Sequence, residues 1–234
     1  MIDVDFNFFT EVTRGQDPDS KSPTLKKYHK ILWSKPLPSG KSFDLNDGPL
    51  DLSKNYLYHK SELGYFVFGS DAITHSYRNH KKKKHIVDQI PEEVNDLFVK
   101  GGNIASYIIF PKNRINNGQT INMARGVNRL IDDRFDLTLE CIKRFYNNLN
   151  SPLNDTLNKY KNFFDLFESF NNYVEFFLLQ DLVDFKTNTI KFYLTFDDFK
   201  SPPTFKTVED YLIYRNRVLE FNEKRKRRIK SLNL

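Results

Sequence analysis

The chain has 234 residues with 36 Lys and Arg against 30 Asp and Glu, which gives a formal net charge of +6. An aromatic content of 15% excludes an intrinsically disordered chain and predicts a core rich in phenylalanine. No run of about 18 apolar residues occurs, so no membrane-spanning helix is predicted. The acidic N-terminus is unlike a secretory signal, and the single cysteine, Cys141, cannot form an internal disulfide. We therefore expect a cytoplasmic protein with no membrane partner.

Two short runs carry the positive charge. The first is the four lysines Lys81, Lys82, Lys83 and Lys84, and the second, residues 224–230, has six basic side chains that include Arg225, Arg227 and Arg228. Without these ten charges the net charge falls from +6 to −4. Clustered cations are typical of phosphate-backbone binding, but solvated helix ends look the same in sequence. Both interpretations stay open, and the seven named side chains are the candidate nucleic-acid-binding residues.

The first part of the chain predicts little regular structure. Residues 1–50 are rich in Pro, Ser, Gly and Asp and are predicted to be mostly irregular. Within them, "SPTLKKYHKILWS" predicts a short helix with Ser22 as its N-cap. Residues 54–71 predict two short strands joined by a turn around Ser61–Gly64, and residues 85–101 predict a short helix.

Residues 101–126 predict a second hairpin. The segment "IASYIIF" is a continuous apolar run that is consistent with a central strand. Asn117–Gly118 is a strong hairpin-turn signal, after which Ile121 would begin the return strand.

The chain becomes helical from residue 136. Three helices are predicted in the segments "DLTLECIKRFYNNL", "SPLNDTLNKYKNFFDLFESF", with Ser151 as its N-cap, and "NNYVEFFLLQDLVD". Residues 189–196 alternate well enough to predict one more strand.

A long helix is predicted over residues 207–230. Thr207 and Asp210 form a variant of the capping box, and the apolar face of this helix ends at Phe221, where the basic run begins. Strands early and helices late predict one α+β domain, with a small, mostly antiparallel sheet packed by a largely C-terminal set of helices.

Long, distinctive segments follow one another along almost the whole chain. They are "DPDSKSPTLKKYHKILWSKPLPSG", "YLYHKSELGYFVFGSD", "IIFPKNRINNGQTINMARG", "DRFDLTLECIKRFY", "SPLNDTLNKYKNFFDLF" and "YVEFFLLQDLV". In this order they resemble an uncharacterised bacterial family, domain of unknown function 6994, over nearly all of residues 5–230. The resemblance implies a single full-length domain and a bacterial or phage source, and it transfers no activity.

Metal and cofactor motifs are missing from the sequence. The five histidines form no HExxH motif, and one cysteine cannot form a structural zinc set. Carboxylates near Asp132 and Asp136 are more typical of a helix N-terminus than of a magnesium site. Phosphate-binding, dinucleotide-binding and hydrolase-elbow motifs do not occur either. We therefore predict no metal site and no cofactor.

Metal-independent RNA cleavage would need an acid, a base and a cation. His59 is the best candidate for acid or base because it comes just before a predicted turn. Asp71 and His75 follow the partner strand, and Arg125 ends the second predicted hairpin. If the two hairpins share a sheet, these four side chains converge on one rim. The alternative is that His59 is a buried histidine with satisfied hydrogen bonds.

The segment "INMARGVNRLIDDRF", residues 121–135, contains three arginines. Arg129 and Arg134 have acidic neighbours and are expected to form internal ion pairs. Arg125 has no acidic residue within six positions, so we expect it to contact a phosphate, with Asn122 and Asn128 as additional donors. A wholly internal ion-pair network remains the alternative.

Three functions are compatible with these patterns. The first is a metal-independent ribonuclease or toxin-like defence effector that acts on nucleic acid, with RNA favoured over DNA. The second is a non-catalytic module whose basic helix binds a nucleic acid or an acidic protein. The third is a nucleotide-using transferase. Tyr28, Trp33 and Tyr77 are the candidates for stacking on bases.

Overall fold

The computed structural model describes residues 1–13, 16–48, 56–77, 80–81, 83–91, 100–203, 205–232 and 234. Within these residues the helices are α1 (Pro18–Lys21), α2 (Pro23–Trp33), α3 (Lys84–Val87), α4 (Ile121–Val127), α5 (Phe135–Tyr146), α6 (Asn154–Lys159), α7 (Lys161–Asp165), α8 (Phe170–Phe176) and α9 (Val208–Ser231). Short 3₁₀ helices cover Phe8–Glu11, Ile104–Ser106 and Gln180–Leu182. The strands are β1 (Lys35–Pro36), β2 (Ser42–Phe43), β3 (Asn46–Asp47), β4 (Leu57–Ser61), β5 (Gly64–Ala72), β6 (Tyr107–Pro111), β7 (Val183–Asp184) and β8 (Thr189–Ile190).

The largest sheet has four antiparallel strands in the order β3-β4-β5-β6. Strand β4 begins at Leu57 opposite Phe68, so the last four residues of β5 pair only with β6. Helix α1 packs against β5. The predicted α+β fold, with small antiparallel sheets and a C-terminal helix packed on them, is confirmed.

Local signals located several elements correctly. The Ser22 hydroxyl accepts the Leu25 amide at 3.0 Å and begins α2 with Pro23 in the first turn. The first hairpin turns between Ser61 and Gly64, where the glycine has a φ of 135° that an L side chain rarely adopts. Thr207 and Asp210 form the predicted capping box of α9.

The second predicted hairpin is wrong in its return strand. Strand β6 forms as expected, but Asn117 and Gly118 lie in a turn that leads into helix α4. The Thr120 side chain accepts the Met123 amide at 3.2 Å and caps this helix. Buried side chains at Ile121 and at Ala124–Arg125 have helical spacing, which outweighs the hairpin signal.

The strand predicted over residues 189–196 is shorter than expected. Strand β8 contains only Thr189–Ile190, and the carboxylate of Asp136 accepts the amide of Tyr193 at 2.8 Å. That amide is therefore unavailable to a strand ladder.

Two of the predicted helices also differ in detail from those in the structure. The helix predicted from Ser151 is divided at Tyr160 into α6 and α7, and Leu153, not Ser151, precedes the first of them. Of the helix predicted at residues 85–101, the structure shows α3, and residues 92–99 lie outside the described residues.

The hydrophobic core is aromatic, as the composition predicts. Phe163, Phe167, Tyr173 and Phe177 form a run of ring contacts with centroids 4.8–6.5 Å apart. The three rings proposed for base stacking also belong to the core: Tyr28, Trp33 and Tyr77 are 6%, 0% and 1% exposed. They are therefore closed to a base. Among the described residues, none of the helices combines the length and apolarity needed to span a bilayer.

Candidate active site at the end of strand β5

Helix α4 brings Arg125 against the end of β5. Its guanidinium forms an ion pair with Asp71 and donates to the Thr138 hydroxyl at 2.9 Å and to the Asp133 carbonyl at 3.1 Å. Arg125 is fully buried, and burial lowers its pKa. The arginine that lacks a partner in sequence therefore has three in space, and each of its three guanidinium nitrogens already has an acceptor, which leaves none for a phosphate.

The two asparagines proposed as phosphate donors are also engaged. Asn122 donates to the Ser70 carbonyl at 3.2 Å. Asn128 donates to the Pro152 carbonyl at 3.1 Å and accepts the Leu130 amide at 2.9 Å. Asn128 thus stabilises the loop before α5, whereas the Oδ1 atom of Asn122 is buried and has no hydrogen-bond partner within the described ranges.

His59 lies elsewhere on the sheet. It is 2% exposed, donates through Nδ1 to the Asp44 carbonyl at 2.9 Å, and contacts the Ser61 hydroxyl through Nε2 at 2.8 Å. It pairs with Phe66, five residues before Asp71 on β5, which corresponds to about 16 Å along the strand. The expected meeting of His59 with Arg125 is therefore corrected: His59 is a buried histidine with both ring nitrogens occupied.

His75 belongs to a different group of side chains. Its ring lies edge-on against Tyr77 with centroids 4.4 Å apart, and burial lowers its pKa. The Tyr77 hydroxyl donates to the Asp132 carbonyl at 2.7 Å, and Asp132 forms an ion pair with Lys83. His75 therefore packs with the loop that precedes α5.

The lysine run is not a uniform basic surface. Lys83 is 1% exposed and lies 4.1 Å from the centroid of the Tyr77 ring. Lys84 forms an exposed ion pair with Asp88 at 3.3 Å, and Lys81 is exposed. Lys82 lies outside the described residues. A buried Lys83 cannot contribute to nucleic-acid binding, which corrects that prediction for this side chain.

The basic run at the end of α9 is also partly internal. Arg225 is fully buried and donates to the carbonyls of Ala105 (2.9 Å), Tyr107 (2.8 Å) and Phe177 (2.9 Å). Burial lowers its pKa to about 9. The buried face of α9 therefore continues past Phe221 through this arginine. Its role in nucleic-acid binding is corrected to a structural one.

Its neighbours in the run differ in their surroundings. Arg228 is paired with Asp181 through two nitrogens, whereas Arg227 is exposed. Lys226 is paired with Asp5 at 2.9 Å. Much of the positive charge is thus balanced locally, which leaves a weaker basic surface than the sequence indicates.

One acid at this end of β5 was not singled out from sequence. Asp19 in α1 has a buried Oδ1 atom with no hydrogen-bond partner in the part of the chain that the structure describes. Burial and the neighbouring Asp17 raise the pKa of Asp19 well above its ordinary value, while Arg125 acts in the opposite direction. The carboxyl is therefore protonated over a range in which most aspartates are charged.

Tyr56 lies beside this acid. Its hydroxyl is buried beside the Ser70 hydroxyl. Burial together with Asp19 raises the pKa of Tyr56, and the hydrogen bond with Ser70 acts in the opposite direction. Buried polar atoms without partners are few in folded proteins, so two in one region are typical of a place that holds water or ligand. Among the described residues, Asp19 Oδ1 and Asn122 Oδ1 are two such atoms. No sequence pattern distinguished Asp19 or Tyr56, because their burial depends on how α1 meets β5.

A buried relay holds Ser70 next to this group. The Trp33 Nε1 donates to His29 Nδ1 at 2.9 Å, and His29 Nε2 donates to the Ser70 hydroxyl at 3.0 Å. Burial lowers the pKa of His29 to about 3, so the ring is neutral and its tautomer is fixed by these two bonds. The relay fixes α2 to β5.

Two cationic side chains lie farther back along β5 and beside α4. The stem of Lys112 packs over Gly69, where a Cβ would lie 3.2 Å from its Cδ, and burial lowers the pKa of this lysine. Arg114 is exposed and its Nη2 contacts the sulfur of Met123 at 3.5 Å, one residue from Asn122. The stem of Lys112 therefore covers a strand position two residues before Asp71, and Arg114 lies beside the residue that follows Asn122.

We refer to Asp19, Tyr56, Asp71, Asn122 and Arg125 as the β5-end site. Its chemical content is an arginine-paired carboxylate, a carboxyl whose pKa is raised by burial, a buried tyrosine hydroxyl and the buried amide oxygen of Asn122. Across the part of the chain that the structure describes, no three histidine, cysteine or carboxylate side chains are grouped as metal ligands.

A family model matches residues 2–229 of the chain. The chain belongs to DUF6994, a family of unknown function. Membership of DUF6994 confirms the resemblance drawn from the quoted segments. Comparison with curated proteins and with solved structures gave no match.

Proposed function

We propose that this chain is a metal-independent ribonuclease whose acid and base are the two carboxyl groups of the β5-end site. The observation that supports the proposal is that the two carboxyl groups differ in their tendency to hold a proton. Asp71 is an arginine-paired carboxylate, whereas burial raises the pKa of Asp19 and keeps it protonated. Two carboxyls in different protonation states are what paired acid–base catalysis requires.

Each carboxyl has a defined role in this reaction. Asp71, with 20% of its side chain exposed, takes the proton of the ribose 2′-hydroxyl. The 2′-oxygen then forms a bond to phosphorus, and the bond from phosphorus to the 5′-oxygen breaks. Asp19 gives its proton to that leaving oxygen. The products are a 2′,3′-cyclic phosphate and a free 5′-hydroxyl.

The remaining side chains stabilise this chemistry. Arg125 holds Asp71 in place and balances its charge from the buried side. Lys112 and Arg114 provide positive charge for the phosphate as negative charge develops on its oxygens. RNA suits such a site because its 2′-hydroxyl is an internal nucleophile.

The substrate in this proposal is a cytoplasmic RNA. Support comes from Cys141, a lone thiol whose pKa burial raises to about 12, which suits a reducing compartment and not a disulfide. A toxin-like or defence role is the setting in which such an activity would be used.

The test compares Asp19→Asn with Asp155→Asn, an exposed aspartate on α6. Asparagine keeps the shape of the neutral carboxyl but cannot give a proton. We expect Asp19→Asn to lower cleavage of a short RNA at least about 100-fold, the usual contribution of a general acid. Asp155→Asn should cleave like the wild type, and a 2′-deoxy residue at the scissile position should block the reaction.

Two results would overturn the proposal. Equal cleavage by wild type and Asp19→Asn would remove Asp19 from the mechanism. RNA binding without cleavage by the wild-type chain would favour the non-catalytic binding module instead.

A further inference from the structure

A second site lies between the first turns of α5 and α9. It is a cleft of about 300 Å³ that the segment after β8 closes on one side. Its walls include Leu130, Leu194, Phe196 and Phe199, and Arg134 and Lys206 are its cationic side chains. None of these residues belongs to the β5-end site.

Arg134 has an unused hydrogen-bonding group. It is 1% exposed, and its Nε donates to Asp136 Oδ1 at 3.1 Å while Nη2 pairs with the other oxygen of the same carboxylate. The Nη1 atom is buried and has no hydrogen-bond partner among the described residues. A buried guanidinium nitrogen without an acceptor is rare and is suited to an anionic oxygen.

The end of α5 adds a second source of positive potential. Arg134 occupies the N-cap position of this twelve-residue helix but provides no capping hydrogen bond. Helix N-termini carry partial positive charge and present free amides, which is why they bind phosphates. The first-turn residue Leu137 lines the cleft, so this helix end lies at its wall.

The lining also contains two carboxylates, and each is held by hydrogen bonds from its own segment of the chain. Asp210 Oδ2 accepts the amides of Lys206 (3.0 Å) and Thr207 (3.3 Å). Asp197 accepts the Lys200 amide at 3.1 Å and the Ser201 hydroxyl at 2.5 Å. The exposed Lys206 remains at the rim as a second cation.

The volume of the cleft and the chemistry of its walls limit the kinds of ligand that it can bind. A volume near 300 Å³ is at the lower end of the range of small-molecule pockets, roughly 300–1,000 Å³, so the cleft suits a small molecule and not a polymer. Phe196 and Phe199 meet edge to face, with centroids 4.9 Å apart and ring planes at 81°, and they give one wall an aromatic surface. A planar ring with an anionic group attached would fit both features.

We propose that this cleft binds a small phosphate monoester that carries a planar ring, the chemistry of a nucleoside monophosphate. The phosphate lies against Arg134, Lys206 and the first turn of α5, and the ring packs against the phenylalanine wall. The proposal is independent of the ribonuclease activity because it uses different residues.

The test is a titration of the full chain with adenosine monophosphate, adenosine and inorganic phosphate, followed by NMR of the backbone amides. Adenosine monophosphate should shift the amide signals of Asp136 and Leu137, and it should bind more tightly than either of the other two. Lys206→Glu should weaken this binding about tenfold or more, the equivalent of one charge-assisted contact. Lys27→Glu changes an exposed lysine of α2 that lies outside the lining, and it should leave the affinity within about twofold, as expected for a change on another element of the surface.

Three outcomes would overturn the proposal. Adenosine that binds as tightly as its monophosphate would show that no anion site exists. Inorganic phosphate that binds as tightly would remove the role of the ring wall. Equal affinity in Lys206→Glu and wild type would place the ligand outside this cleft.

Discussion

Arg125 and Asp71 lie 54 residues apart in the chain and form an ion pair in which the guanidinium is buried and the carboxylate is partly exposed. The pair fixes α4 to the end of β5, beside the neutral carboxyl of Asp19. It therefore serves both the stability of the fold and the geometry of the proposed active site.

Removing one partner of this ion pair should destabilise the fold. Asp71→Asn leaves the buried charge of Arg125 without its carboxylate, so we expect the free energy of unfolding to fall by about 3 kcal/mol. The double variant Arg125→Met/Asp71→Asn should lose less than the sum of the two single variants. Urea unfolding measures all four chains. The exposed pair Lys161–Asp165, treated in the same way, should lose no more than about 1 kcal/mol. Strict additivity at Arg125 and Asp71 would contradict the pairing.

Asp19 should make stability depend on pH in a recognisable direction. Its pKa is raised in the folded chain, so its contribution to stability is greatest below the unfolded value near 3.8 and is lost as pH rises through the folded pKa. Asp19→Asn cannot ionise, and we expect it to be more stable than wild type near pH 7 and similar near pH 4. Urea unfolding across this range tests the trend, with Asp155→Asn as the matched control. A variant less stable at neutral pH would show that the carboxyl is charged in the folded chain.

Substitution of Arg225 should lower stability far more than substitution of Arg227, although both residues belong to the same basic run. Arg225→Met leaves three buried carbonyls without their donor, so we expect a loss of about 3 kcal/mol or more. Arg227→Met changes an exposed side chain and should stay within about 0.5 kcal/mol of wild type. Thermal or urea unfolding distinguishes the two. Equal effects would mean that Arg225 is not buried.

Proton uptake by His29 on unfolding should make the folded chain less stable in acid. Its pKa is about 3 in the folded chain and about 6.5 when unfolded, so the unfolded chain takes up the proton first as pH falls. Stability from this group should decline between these values by up to about 1.4 kcal/mol per pH unit. In His29→Gln this part of the acid sensitivity should disappear. The exposed His85→Gln should keep the wild-type profile, and a His29→Gln profile that also kept it would refute the buried neutral ring.

Elements that depend on neighbouring residues were predicted correctly from sequence, whereas elements that depend on residues far apart in the chain were not. Caps and tight turns are local, so Ser22, Gly64 and Thr207 indicated their elements correctly. The second hairpin failed because burial of Ile121 and Arg125 against distant residues favours a helix after the turn. Strand 189–196 failed because the carboxylate of Asp136, 57 residues away, takes the amide of Tyr193.

The candidate site also depends on contacts between residues that are far apart in the chain. Asp71 and Arg125 meet, but not at the ends of two hairpins as expected: Arg125 reaches Asp71 from helix α4, its guanidinium is enclosed, and His59 is far along the sheet. Asp19 carries no local signal, because its raised pKa depends on packing between α1 and β5. A run of charges likewise does not show which member, here Arg225, turns towards the core.

The bond from Arg225 to the carbonyl of Tyr107 has a consequence for the order of synthesis. Tyr107 lies in β6, the outer strand of its sheet, and the arginine that covers its carbonyl comes 118 residues later in the chain. While the ribosome is still adding those residues, this edge of the sheet is open to a strand from another nascent chain. A chain interrupted before Arg225 keeps that edge open, so premature termination should yield aggregates instead of a shorter folded protein.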